Sequence, residues 1–355
     1  MLGAAVEALL QRHWWRPRPS ALACALLPLA GLYAALAALH RAPYRLGLRG
    51  PRPLPVPVVV VGNLVAGGAG KTPTVIALVQ WLRARGHRPG VVSRGHGRRS
   101  LDVRAVTAQS TAAEVGDEPL LIARRSGAPV VVGRDRVAAA RALLQAHPEV
   151  DLVVADDGLQ HLRLPRALAI VVFDEHGIGN ALPLPAGPLR APMPAQVPPR
   201  SLVLYSAGRP TTPWPGGRGR RRLAGVVELA AWQRGERAAG ASLAALAARC
   251  TAGKVRPVAA AGIAVPQRFF DMLAAQGLAF DALALPDHHD WATLPWPPGT
   301  PLAIVTEKDA VKLDPGRVGA TQVWVAALDF VFEPDFEAAL DAALHAVLTA
   351  PDRPH

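Results

Sequence analysis

Residues Pro57–Pro73 read PVVVVGNLVAGGAGKTP. The apolar β-branched run Val58 to Val61 predicts a strand, and the residues after Gly70 predict a helix to about Gly86. Between them lie glycines that let the backbone turn with its N–H groups inward. The following helix adds its positive N-terminal end, a lysine at the turn reaches β- and γ-phosphates, and a hydroxyl beside it holds Mg²⁺. Gly67, Gly68, Ala69, Gly70, Lys71 and Thr72 are therefore the expected cradle of a nucleoside triphosphate, with Thr72 also a metal ligand.

One position departs from the strict phosphate-loop pattern: Val65 stands six residues before Lys71, where glycine is expected. The plainer reading is a glycine-rich turn between a strand and a helix. The loop also resembles the GG-x-GKT form of partitioning and metallochaperone ATPases, but their signature lysine falls at Ala66 here. A membrane-bound ATPase switch of that type is the alternative function.

A chain of 355 residues that is 50% hydrophobic holds one large or two modest domains, which excludes general disorder. The net charge of +12 comes from arginine, since Lys71, Lys254, Lys308 and Lys312 are the only lysines. Nucleotide bias in the gene is one source of that pattern. If the charge is functional it favours anionic partners, and without a basic–aromatic repeat a phospholipid surface or phosphorylated substrate is preferred to nucleic acid. Cys24 and Cys250 sit in dissimilar contexts and imply neither a disulfide nor a zinc site, which fits a reducing compartment.

Ser20 to Leu39 is uncharged and long enough to span a bilayer, but it contains Pro28 and has arginines on both flanks. A helix lying in the cytoplasmic leaflet suits that pattern better than a clean span. A buried soluble helix and a cleaved signal are the other readings. Residues 1–45 are thus expected to form a membrane-associated helix.

Beyond it, short β-branched runs alternate with amphipathic stretches, which predicts an α/β fold with a mostly parallel sheet flanked by helices. Strands are expected at Val58–Val61, Pro89–Ser93, Ala128–Val132, Asp151–Ala155, Ala167–Phe173 and Leu202–Tyr205, with a helix over Arg134–His147. Asn180 to Arg222 is rich in proline, glycine and arginine and reads as a loop-rich surface or lid. A smaller C-terminal α/β lobe begins with the strand at Val258 and the helix after Pro266. Strands at Ala279–Leu285 and Leu302–Thr306 and a helix over Pro334–Leu348 complete it. The expected domains are a phosphate-loop core at 46–225 and this lobe at 226–355.

Several residues carry chemistry. Asp156 ends a predicted buried strand, where phosphate-loop enzymes hold Mg²⁺, and Asp157 is adjacent. Asp117-Glu118 precede an apolar helical run, as a helix cap or as catalytic acids. His288-His289, flanked by Asp287 and Asp290, read as metal ligands, surface residues or a general base. Arg94 and Arg190 follow glycine- and proline-rich turns and are candidate phosphate clamps. Thr306-Glu307-Lys308-Asp309 lacks the N-K-x-D order of a guanine reader.

The motifs VGNLVAGGAGKTP, SRGHGRR, VGDEP, DDGLQH, LPAGPLR, AGIAVPQRFF, LPDHHDW and TEKDAVK occur in that order. Together they resemble the tetraacyldisaccharide 4′-kinases, the lipid A 4′-kinases of Gram-negative bacteria, from the N-terminal apolar helix to about Lys312. The resemblance implies phosphorylation, with ATP and Mg²⁺, of the 4′-hydroxyl of an acylated disaccharide 1-phosphate lipid at the cytoplasmic face of the inner membrane. It implies no nucleic acid and no obligate protein partner. It places Lys71 on the phosphates, Thr72 with Asp156 or Asp157 on Mg²⁺, and Arg190 in the site. It also makes Asp117 the base with His288, His289 being a near alternative. Asp117 and His288 are expected in different lobes, so that closure precedes chemistry. Three positions depart from strict patterns: Ala191 stands where the family commonly has glutamate, His96 where tyrosine is usual, and Val65 where the family itself lacks glycine.

Overall fold

The computed structural model describes residues 9–67, 70–238 and 242–349. Among them the strands are, in chain order, β1 (Val58–Gly62), β2 (Pro89–Ser93), β3 (Arg104–Ala105), β4 (Val130–Val132), β5 (Leu152–Asp156), β6 (Leu168–Phe173), β7 (Ser201–Tyr205), β8 (Gly217–Glu228), β9 (Val258–Ala261), β10 (Asp281–Ala284), β11 (Leu302–Thr306) and β12 (Gln322–Phe332). The chain divides into two compact units. The first comprises Met1–Arg94, Gly133–Arg220 and Phe332–His355, and the second Gly95–Val132 and Arg221–Val331.

In the first unit the strands run in the order β7–β6–β1–β5–β2, every neighbouring pair parallel, and the start of β8 (Gly217 and Arg218) also pairs in parallel with β7. Every residue of β1, β2, β5 and β6 is buried. This is why these strands read as continuous apolar runs: a parallel sheet is covered on both faces. The helix Lys71–Ala84 packs on β1 and β5, Arg136–Ala146 on β2, and Pro334–Thr349 on β6 and β7. Leu78 and Leu82 are fully buried on the first of these helices, each contributing about 1.5–3 kcal/mol. Asp135 caps the second by accepting the Val137 N–H at 2.9 Å. With β1 flanked by β5 and β6, the loops after β1 and β5 emerge together at the carboxyl edge, where open α/β sheets bind ligands.

The segment expected as a surface or lid is partly core. Ala186 and Leu189 are 1% and 2% exposed. Backbone bonds tie the segment to the loop after β1: Ala66 N–H donates to the Pro188 carbonyl at 2.7 Å, and Arg190 N–H to the Leu64 carbonyl at 2.9 Å. Proline and glycine mark irregular backbone, but these hydrogen bonds make its course fixed and internal.

At the N-terminal end, Ser20 caps the short helix Ala21–Ala25, and Pro28 lies in the first turn of the next, Leu27–Arg45. Proline is tolerated there because the missing N–H would have no partner. No helix of the described residues is long and apolar enough to cross a membrane. Leu29, Leu32, Leu36 and Leu39 are all more than half exposed. The segment is anchored to its own unit by Trp14 Nε1, which donates to the Pro185 carbonyl at 2.8 Å, and by the Tyr33 hydroxyl, which donates to the Arg190 carbonyl at 3.1 Å.

In the second unit β10, β9, β11 and β12 lie side by side in parallel, and β3 pairs antiparallel with β4. Its core joins Leu243, Leu246, Phe269, Phe270, Leu273 and Ile304. A charged network sits inside this unit. Arg125 donates to both Glu307 oxygens at 2.9 and 3.0 Å and to Asp329 at 2.6 Å, while Trp232 Nε1 and Leu328 N–H also donate to Glu307. It ties the end of the helix Asp117–Ser126 to the start of the helix Glu307–Ala310. Arg125→Ala leaves a carboxylate that is 5% exposed without its cation. Urea denaturation of that variant is expected to read a loss of about 3–5 kcal/mol. An unchanged midpoint would show the network to be energetically idle.

Candidate active site

Gly70 adopts φ +79°, a left-handed conformation open to glycine, and from it the helix Lys71–Ala84 starts. Lys71 and Thr72 therefore fall in the first turn, at the positive end of the helix dipole. The Lys71 ammonium donates to Asn63 Oδ1 at 3.3 Å and pairs with Asp157 Oδ1 at 3.6 Å. Asn63 also donates to the Gly67 carbonyl, holding the loop's entry. Arg190 donates to both oxygens of Asp157 at 3.2 and 3.3 Å and to Gln160 Oε1 at 3.1 Å. Gln160 in turn donates to the Asn63 carbonyl at 3.0 Å. Burial pushes Asp157 up, but Lys71 and Arg190 outweigh it and hold the carboxyl below its ordinary value.

Asp156 ends β5, 3% exposed, and its Oδ2 accepts the Ser93 hydroxyl at 2.9 Å. Among the described residues no three His, Cys, Asp or Glu side chains cluster as a ready cage for a metal. The donors present, one hydroxyl and two adjacent carboxylates, nonetheless fit Mg²⁺, which takes one or two carboxylates and fills its shell with phosphate oxygens and water. Gly67, Gly70, Lys71, Thr72, Asp156, Asp157 and Arg190 all belong to the first unit. Gly68 and Ala69 lie outside the described residues. Arg94, the other expected clamp, is exposed.

The second unit brings Asp117 and His288 together. Asp117 is the first residue of its helix, with Gly116 at the cap, so its carboxylate is not the helix cap expected from sequence. It is 5% exposed and accepts His288 Nδ1 at 2.9 Å. Of the two adjacent histidines, His288 is the one bonded to Asp117. His289 packs edge-on against Trp291, ring centroids 5.5 Å apart. The expectation that Asp117 and His288 come from different lobes is corrected: the segment Gly95–Val132 groups with the second unit, and the pair forms within it.

Two lysines that motif reading passed over complete the surroundings. Lys308 approaches His288 Nε2 at 3.4 Å, Asp287 at 3.3 Å and Glu118 at 3.7 Å. Lys312 lies 3.9 Å from Asp117 and 3.7 Å from Asp309. Burial pushes Asp117 up, but the His288 hydrogen bond, Lys308 and Lys312 reverse this and bring it to about 2. The same bond raises His288 above its ordinary value, against burial and Lys308. Asp117 is thus ionised at neutral pH, and the proton affinity of the pair near neutrality resides on the imidazole. His96, the residue in place of the usual tyrosine, sits with its ring 5.9 Å from that of His288.

The family model for tetraacyldisaccharide-1-P 4′-kinase matches residues 22–345. The chain belongs to this family. The tetraacyldisaccharide 4′-kinase of Methylibium petroleiphilum is 57% identical over 347 residues, covering 96% of this chain and 94% of that protein. The one from Leptothrix cholodnii is 53% identical over 346 residues, covering 96% and 97%. The crystal structure of the Aquifex aeolicus family member LpxK in complex with ATP superposes with a TM-score of 0.73 at 25% identity. It covers 92% of this chain and 99% of that one. The α/β fold expected from the strand and helix pattern is that of this solved family member. Membership makes the chain a 4′-kinase and sets aside the ATPase switch. Lys71 and Arg190 belong to the first unit, and the Asp117–His288 pair belongs to the second.

Proposed function

We propose that this chain transfers the γ-phosphate of ATP to the 4′-hydroxyl of a tetraacyldisaccharide 1-phosphate, a lipid A precursor, at a membrane surface. The observation that carries the reading is the 2.9 Å bond between Asp117 and His288, in a chain that also sets Lys71 and Thr72 at the start of a helix behind a left-handed Gly70. Asp117, acting with His288, accepts the 4′-hydroxyl proton as that oxygen attacks the γ-phosphorus. Phosphoryl transfer asks for positioning and charge stabilisation more than covalent work. Lys71 and Arg190 supply positive charge for the developing negative charge, and Gln160 with Asn63 keeps their side chains in place. Thr72, Asp156 and Asp157 would hold Mg²⁺, which when bound neutralises charge on the β- and γ-phosphates.

Support for the membrane surface comes from the helix Leu27–Arg45. Leu29, Leu32, Leu36 and Leu39 recur at helical spacing, exposed, next to Arg41, Arg45 and Arg49. An apolar stripe edged by arginines suits a helix lying in an anionic interface. Leu32→Glu with Leu36→Glu removes two inserting side chains worth about 1.5–3 kcal/mol each. Flotation with vesicles of zwitterionic and anionic phospholipid is expected to show binding at least about 100-fold weaker. Equal flotation of variant and parent would dismiss this helix as the contact.

The deciding experiment follows labelled γ-phosphate from ATP to purified disaccharide 1-phosphate lipid in detergent. Formation of the bisphosphorylated lipid is the expected result. ATP hydrolysis without that product would overturn the reading.

A further inference from the structure

Asp309 is fully buried, at 0% exposure, and lies outside the chemistry described so far. Its Oδ2 accepts the Gly262 N–H at 3.0 Å and the Thr306 hydroxyl at 2.7 Å, and its Oδ1 accepts Trp291 Nε1 at 3.0 Å. These donors come from the end of β9, the end of β11 and the loop that carries His288. Lys312 stands 3.7 Å from the same Oδ1 and 3.9 Å from Asp117.

The His288 loop is strained. His288 and Trp291 both have φ +58°, a region that side-chain-bearing residues enter at a cost of order 1–3 kcal/mol each. Such a conformation persists only where its surroundings over-determine it. Here the Trp291 indole is buried at 4% exposure, lies edge-on to His289 and 6.0 Å from Trp296, and ends on Asp309. Gly262 leaves the space the latch needs. A Cβ there would lie 2.9 Å from Asp309 Oδ1, closer than a Cβ tolerates, and a tight 3.0 Å from the His289 Cβ.

We propose that Asp309 is a positioning residue for the Asp117–His288 pair, acting through the Trp291 indole on the histidine and through Lys312 on the aspartate. The buried carboxylate gathers two strand ends and one loop, so that the left-handed turn at His288 presents Nδ1 to Asp117. The role in catalysis rests on the proposed function of the pair. The latch itself does not, because its effect on the His288–Asp117 bond is readable without turnover.

Trp291→Phe keeps the ring and deletes only the N–H, leaving Gly262, Thr306 and Lys312 on Asp309. It tests the latch even if Asp309→Asn fails to fold. In the full chain with labelled histidines, NMR titration follows the signal that His288→Gln abolishes. Asp117, Asp287, Lys308 and the His96 ring face that imidazole. Since the Asp117 bond holds its pKa up, the midpoint is expected to fall toward the ordinary histidine value in Trp291→Phe. The kcat for transfer should fall about 10-fold or more with the KM for ATP unchanged, because small misplacements of reacting groups cost up to about 100-fold. A parental midpoint in Trp291→Phe overturns the latch. A lowered midpoint with parental kcat would leave the latch standing and overturn the base role of the pair.

Discussion

Asp117→Ala is expected to lower kcat for transfer to the lipid by about 10²–10⁴-fold while ATP binds as in the parent. The residue belongs to the second unit, whereas every described side chain assigned to nucleotide or Mg²⁺ belongs to the first. A carboxyl held at about 2 is by itself a weak base. What makes it effective is the imidazole bonded to it, whose pKa is raised above the ordinary value by that bond. The competent pair is ionised Asp117 with neutral His288, so kcat/KM should rise as pH climbs through the raised histidine pKa. Asp117→Asn removes the charge that raises it, and the ascending limb should move to lower pH under a much lower ceiling. A pH–rate profile whose limb stays in place in the variant would assign the titration to another group.

Lys71→Met is the second large effect. Lys71 is 13% exposed in its side chain, held by Asn63 and Asp157 within the first turn of its helix. Removing one pre-oriented donor from a developing charge costs about 10²–10³-fold in kcat. In the proposed function Lys71 also engages the nucleotide before transfer, so calorimetric titration should show weaker ATP binding as well, unlike Asp117→Ala. Parental turnover in Lys71→Met would sink the phosphate-cradle reading of this loop.

Much of the first unit was legible because its signals are local. The glycines, Lys71 and Thr72 lie within a few residues, and each buried parallel strand announces itself as an unbroken apolar run. Asn63 and Gln160 carried no such mark, since an amide gains its meaning here from a lysine or arginine brought to it by folding. The Asp117–His288 bond joins residues 171 apart, and no spacing rule reaches that far. Family resemblance favoured His288 with His289 a near alternative, and the hydrogen bond to Asp117 shows that it is His288, at a positive φ, that faces the aspartate. β8 was hidden because GRGRRRLAGVVE starts with glycines of low strand propensity among a run of arginines that breaks any apolar alternation. β12 carries Asp329 amid its apolar residues, in a segment that drew no strand expectation. The TEKDAVK stretch was legible as a family motif and as lacking the guanine order, but nothing in it announced that folding brings Lys308 to His288 and Lys312 to Asp117.

Tyr33 and Trp14 give the N-terminal segment a meaning beyond attachment. The carbonyl that receives the Tyr33 hydroxyl belongs to Arg190, whose guanidinium holds Asp157 and Gln160. The carbonyl that receives the Trp14 indole lies five residues earlier in the same turn. Trimming the chain after Arg45 to obtain a more soluble enzyme would therefore remove two props of the arginine assigned to the phosphates. Solubility gained that way would come with a slackened phosphate site, and a shortened protein that turns over slowly would be reporting that loss rather than the absence of a lipid surface.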